Sequence, residues 1–279
     1  LIDEDYSIYT VMPKLTSFSP LLNINSNGYS YSGESPPDSL FDGVGEKILE
    51  ILNSPMKSPW FFYIHLMDLH WPLNVPQKFE DEKFGKDKYD RVVSSIDYHL
   101  KKFIDMLNLE ETLIIITSDH GHPIPFDEKD TTSFEPDLKL GLKVGKKIMP
   151  KFSHKFGASI FNKTREVIRN RRLQEVNQNL TEYEIRSRLP PFLQSLFDEL
   201  VRTPLLFSGY NMESLIIKQQ TRSVDIFPTV FDLLGFDYSG RIQGKSLLPL
   251  IRGDDCEENP CYMHTIPHEK LSDNDQVGI

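Results

Sequence analysis

Two short apolar runs, with a strongly periodic segment between them, constrain this chain more than any other feature. Trp60-Phe61-Phe62-Tyr63-Ile64-His65-Leu66 and Thr112-Leu113-Ile114-Ile115-Ile116-Thr117 are aromatic or branched almost throughout and show no alternation. That pattern predicts strands covered on both faces in a parallel sheet. Between them Tyr89, Val92, Val93, Ile96, Leu100, Phe103 and Leu107 recur at steps of three and four, separated by polar residues, which predicts a helix packing one face on the sheet. Strand, helix and strand with a right-handed crossover make a βαβ unit. Each run ends abruptly, the first at Met67-Asp68-Leu69-His70-Trp71-Pro72 and the second at Ser118-Asp119-His120-Gly121-His122-Pro123. Parallel sheets hold ligands beyond the carboxyl ends of their strands, so His70 and Asp119-His120 are the first candidates for a site.

The rest of the chain is less patterned. Residues 1–40 are rich in Ser, Asn, Pro and Tyr, with Ser35-Pro36-Pro37-Asp38-Ser39 as a loop signal. Val44, Ile48, Leu49 and Leu52 predict a short helix over 42–52, ended by Ser54-Pro55. Residues 123–195 read as an insertion, within which Thr181-Glu182-Tyr183-Glu184 predicts a capped helix through Leu189. Over Leu196–Gly209 an acidic helix end is expected to run into a short strand. Ser223 is expected to cap a helix over Val224–Leu234 that Gly235 stops, and Gly244–Gly253 reads as a loop. No internal repeat is visible. The 279 residues suit one large α/β domain or two ordinary ones, and the closing Val277-Gly278-Ile279 reads like the start of a strand, which suggests a fragment.

Charge narrows the partners. The net charge of −10 disfavours nonspecific nucleic-acid binding by the chain as a whole. Between 139 and 172, however, eleven Lys and Arg side chains face Glu166 alone, so the insertion is basic and the body more acidic than the total. Such a run reads either as a solvated face or as a contact for an anion or polyanion. No run of about 18 apolar residues exists, so no transmembrane segment is expected in this chain. Cys256 and Cys261 have no ligand-spaced His partner, and both a small hairpin disulfide and two free thiols fit their spacing.

Asp119 and His120, presented by a Gly turn, can face one ion, the carboxylate with a hard oxygen and the imidazole with a directional lone pair. The same three residues also suit a solvated His beside an Asp that caps the turn. His70 could meet an anion or a leaving group, or pack beside Trp71. His122 follows the turn and could line the same pocket; His154 and Lys155 could contact sulfate or phosphate. His65 reads as a satisfied rim residue, and Pro267 between His264 and His268 argues for loop residues rather than a helical metal pair.

These segments together carry a resemblance. Phe61 to Pro72, Thr112 to Gly121, Asp198 to Leu205, Ser223 to Thr229 and Gly244 to Pro249, in that order, resemble the sulfatase family of the alkaline phosphatase superfamily. The resemblance implies a doubly wound, mostly parallel α/β sheet, incomplete here at the N-terminus, with residues 1–279 forming part of a catalytic domain that carries the basic insertion. It implies one divalent metal, Ca2+ first and Zn2+ or Mn2+ also compatible with imidazole, with Asp119 and His120 as ligands. His70 takes the place of the histidine that contacts sulfate or protonates the leaving oxygen, and His122 and Lys155 are candidates for substrate binding. The family often carries Asn where this chain has His120.

The implied function is hydrolysis of a sulfate monoester, on a small molecule or, given the basic insertion, a sulfated glycan. Phosphodiester or phosphonate hydrolysis, and anion binding without turnover, are the alternatives. A Cys or Ser followed by Pro two residues on and then Arg, the source of the family's formylglycine nucleophile, does not occur in these residues, and neither Cys256 nor Cys261 fits it. The chain by itself is therefore expected to be inactive, with the nucleophile in an N-terminal part outside it.

Overall fold

The structure is a computed structural model, and it describes residues 5–14, 27–33, 38–70, 72–121, 167, 171, 174–175, 177–178, 181–182, 196, 198–238, 240–254, 256, 259–265 and 276–278. The described residues of Leu1–Leu109 and Ile124–Arg188 fall in one compact unit, and those of Glu110–Pro123 and Leu189–Ile279 in a second.

In the first unit β1 (Ser7–Pro13), β2 (Asn27–Tyr31) and β3 (Trp60–Ile64) form a parallel sheet in the order β2-β1-β3. The α/β expectation therefore holds. β1 is central, and its β-branched and aromatic Ile8-Tyr9-Thr10-Val11 supply what a strand with neighbours on both sides needs. Tyr9 to Pro13 are buried, with Val11 fully so. Helix α1 (Val44–Asn53) lies between β2 and β3 in sequence, and α2 (Lys88–Ile104) follows β3. The Asp87 carboxylate accepts from Asp90 N at 2.9 Å and starts α2. α2 buries Val92 and Phe103 of the stripe that its periodicity predicts, together with Ser95 and His99, which lie outside that stripe, and it leaves Val93 exposed.

Val11, Tyr31, Leu40, Val44, Ile48, Met67 and Phe103 make one core between sheet and helices. Ile48 is wholly buried, so truncating it to Ala should cost about 2–5 kcal/mol.

The βαβ expectation is corrected in one respect. In the first unit β3 pairs in parallel with β1, whereas in the second β4 (Leu113–Thr117) has, among the described residues, an antiparallel partner, β5 (Leu205–Gly209). Neither strand is covered on both faces: β3 and β4 are half-buried, and Phe61 and Thr117 are exposed. Each has a single described neighbour, so an apolar run that looks central is read at a sheet edge.

In the second unit a short α3 (Asp198–Val201) precedes β5, and α4 (Ile226–Leu234) ends at Gly235 in the left-handed region, φ 71°. Ser223 does not cap α4. Instead Ser223–Asp225 is a 3-10 turn, and the buried Asp225 carboxylate accepts from Arg222 N, the Arg222 guanidinium and Lys245 N. Burial pushes that carboxyl up, and these donors outweigh it and hold it below the usual range. Leu247 N donates to Thr229 Oγ1, tying the 244–253 segment to α4. That segment is not all loop, since Leu248–Ile251 forms a short helix, α5. His264 lies on β6 (Met263–Thr265), antiparallel to β7 (Gln276–Gly278), and not in a loop, whereas His268 lies outside the described residues. Both cysteines are free and partly buried. The predicted helix to Leu189 and nearly all of the insertion fall outside the described residues. Among the described residues no helix is long and apolar enough to cross a membrane.

Candidate functional site

β3 delivers its last residues into a turn that is tied down from below. His65 N donates to Val11 O at 2.9 Å, and the Tyr31 hydroxyl donates to His65 O at 2.6 Å. The His65 ring lies 3.3 Å from the Tyr63 hydroxyl, so this histidine is engaged at the sheet rim. Asp68 then turns inward and is 8% exposed, its Oδ1 accepting from Leu40 N at 3.0 Å. Burial pushes its carboxyl up to about 6, against the backbone donors of Leu40 and Asp68 itself, with Asp42 adding to the rise. His70 N donates to Met67 O at 2.9 Å, closing the turn with the His70 side chain exposed.

In the second unit, β4 ends at the turn that carries Asp119 and His120. Asp119 Oδ1 accepts from His120 N at 2.9 Å. His120 Nδ1 lies 2.7 Å from Gly121 O. A carbonyl can only accept, so Nδ1 carries the proton and the lone pair of the neutral ring is on Nε2. That nitrogen is 3.8 Å from Asp119 Oδ2, and both side chains are 64% exposed. Gly121 donates to Leu200 O at 2.7 Å, and a Cβ at this position would run into the Glu199 carbonyl. The close approach of the turn to the segment before β5 requires glycine there.

The donor pair suits a cation. A separation of 3.8 Å is less than twice a Ca–O distance of about 2.3–2.6 Å, so one ion can reach both atoms. The set is partial: among the described residues no group of three or more His, Cys, Asp or Glu could hold a metal. His70 belongs to the first unit and Asp119 and His120 to the second. His122, His154 and Lys155 lie outside the described residues. Asp68 is the buried carboxylate of the first turn to which the sequence pattern assigned no role, although a carboxylate flanked by Met67 and Leu69 at a strand end is a signal for it.

A protein-family model described as Sulfatase matches residues 22–236. No curated protein matches the chain. Among solved structures, it is similar to the crystal structure of Ps i-CgsB in complex with k-i-k-neocarrahexaose, at 12% identity and a TM-score of 0.52 over 95% of this chain and 60% of that one. It is also similar to a chain from Bacteroides thetaiotaomicron VPI-5482 assigned to the sulfatases, at 15% identity and a TM-score of 0.51, over 94% of this chain and 57% of that one. At these identities the likeness is one of fold, and the present chain spans about 60% of the length of those neighbours.

Proposed function

Because the chain belongs to the sulfatase family, we propose that it serves a sulfuric ester hydrolase, one that cleaves a sulfate monoester with a divalent cation held in part by Asp119 and His120. The observation that carries this reading is the Asp119-His120 turn, in which one imidazole nitrogen is fixed on Gly121 O and the other stands 3.8 Å from a carboxylate oxygen. Ca2+ is the first assignment, and the imidazole also suits Zn2+ or Mn2+. When bound, the cation would draw charge from the ester's nonbridging oxygens.

The chain's own residues supply the rest. The Asp119 carboxylate contributes negative charge and a hard oxygen, and the Nδ1 to Gly121 O hydrogen bond keeps the His120 lone pair on Nε2. His70 contacts the sulfate group or gives a proton to the departing alcohol oxygen. Asp68 fixes the start of the His70 turn through Leu40 N. His122 and Lys155 add substrate contacts. A sulfated glycan is the favoured substrate class, supported by the basic run at 139–172 and by a structural neighbour that holds a neocarrahexaose.

The test is turnover of matched sulfate monoesters, phosphate monoesters and phosphate diesters by the full-length protein, including the N-terminal part expected to carry the nucleophile, and by its His70→Ala variant. The expected result is preference for the sulfate ester, with kcat about 10²–10⁴ lower in the variant and an unchanged thermal midpoint. Preference for the phosphate diester, or a loss in His70→Ala accounted for by unfolding, would overturn it.

A further inference from the structure

Outside the strand-end turns, two ammonium groups from separate elements converge on one aromatic ring. Lys78, on the 3-10 turn Gln77–Phe79, has its Nζ 3.4 Å from the centroid of Tyr98, and Lys102, one turn further along α2, has its Nζ 4.3 Å away. The ring is held in place. It stacks on Phe41 at 6.2 Å and meets Phe79 edge-on at 5.9 Å.

Neighbouring lysines in this unit are neutralised: Lys47 has Glu50 at 2.8 Å, Lys83 has Asp81 at 3.5 Å and Lys101 has Asp105 at 2.6 Å. Among the described residues, Lys78 and Lys102 have no such carboxylate. Two like charges gathered on a fixed ring with no acid between them repel one another, and an anion relieves that repulsion. The ring face attracts each ammonium and helps position both. The Tyr98 phenol is held below its ordinary range by Lys78 first and then by Lys102, the two cations beside it.

We propose that Lys78, Lys102 and Tyr98 form a binding subsite for a tetrahedral oxoanion, the sulfate group of a glycan chain. The identity of that ligand rests on the sulfatase reading above; the cluster itself rests on geometry independent of Asp119, His120 and His70.

Calorimetric titration of the full chain with a sulfated hexasaccharide, its desulfated counterpart and inorganic sulfate tests this, using wild type and Lys78→Gln/Lys102→Gln. The sulfated sugar should bind the double variant about tenfold more weakly and with a shallower salt dependence, while the desulfated sugar binds both proteins weakly and alike. Lys78→Glu/Lys102→Glu should weaken it further, with far-ultraviolet circular dichroism unchanged in both. Equal affinity of wild type and both variants, or equal binding of the desulfated sugar, would overturn the subsite. Turnover of a small aryl sulfate separates the two readings. Measured on the full-length protein that includes the N-terminal part expected to carry the nucleophile, it should be the same in Lys78→Gln/Lys102→Gln as in wild type, and its absence from that wild type would count against the catalytic reading while a lysine-dependent glycan affinity still supports the subsite.

Discussion

Asp119 Oδ2 and His120 Nε2 stand 3.8 Å apart on adjacent residues of one turn, and the second imidazole nitrogen is anchored on Gly121 O at 2.7 Å. The pair is thus offered with its tautomer set, which is the outer support that metal-binding histidines commonly have. Replacing His120 by Asn exchanges a nitrogen lone pair for an amide oxygen. Zn2+ affinity should then fall about tenfold or more relative to Ca2+, as read by competition with a chelating dye. An equal loss for both ions would show that His120 shapes the turn and does not bind the cation.

Gly121 gives a test that alters no donor atom. A methyl group there meets the Glu199 carbonyl, so Gly121→Ala must move either the turn or the segment before β5. The expected outcome is weaker metal uptake together with a lower thermal midpoint, measured on the same preparation. Wild-type metal affinity in Gly121→Ala would show that the two donors tolerate displacement of the turn.

Asp68 makes a prediction about pH. Its folded-state carboxyl is raised to about 6 from an ordinary 3.8, so folding favours the protonated form. Its contribution is therefore complete below pH 4, is lost as pH rises through 6, and amounts at most to about 3 kcal/mol. Asp68→Asn keeps an acceptor for Leu40 N and removes the charge. Urea unfolding at pH 4.5 and 7.5 should show the variant gaining on wild type as pH rises; a stability difference that is the same at both pH values would contradict the assignment.

What was legible in the sequence follows from physical contrast along the chain. The α2 stripe of Val92, Ile96 and Phe103 alternates sharply with charge, and the helix runs within a few residues of its predicted bounds. β1 is the opposite case. Ile8 to Val11 is a good strand sequence, but it sits among Ser, Asn, Pro and Tyr without alternation, because a central strand is buried on both faces. With β1 unseen, β3 had no obvious partner but β4. The Asp119-His120 turn was visible because a carboxylate, an imidazole and a glycine stand in a row. The Lys78, Tyr98 and Lys102 cluster was not, since it joins two elements 20 residues or more apart and appears only when the 3-10 turn folds against α2.

The most direct test of the central claim is elemental analysis of the purified full-length protein and its Asp119→Ala variant, carried out beside a thermal unfolding curve for each. The account predicts about one divalent ion per wild-type chain and almost none in the variant, with a cooperative unfolding transition preserved in both. A folded Asp119→Ala protein that retains the wild-type metal content would remove Asp119 from the ligand set and contradict the account.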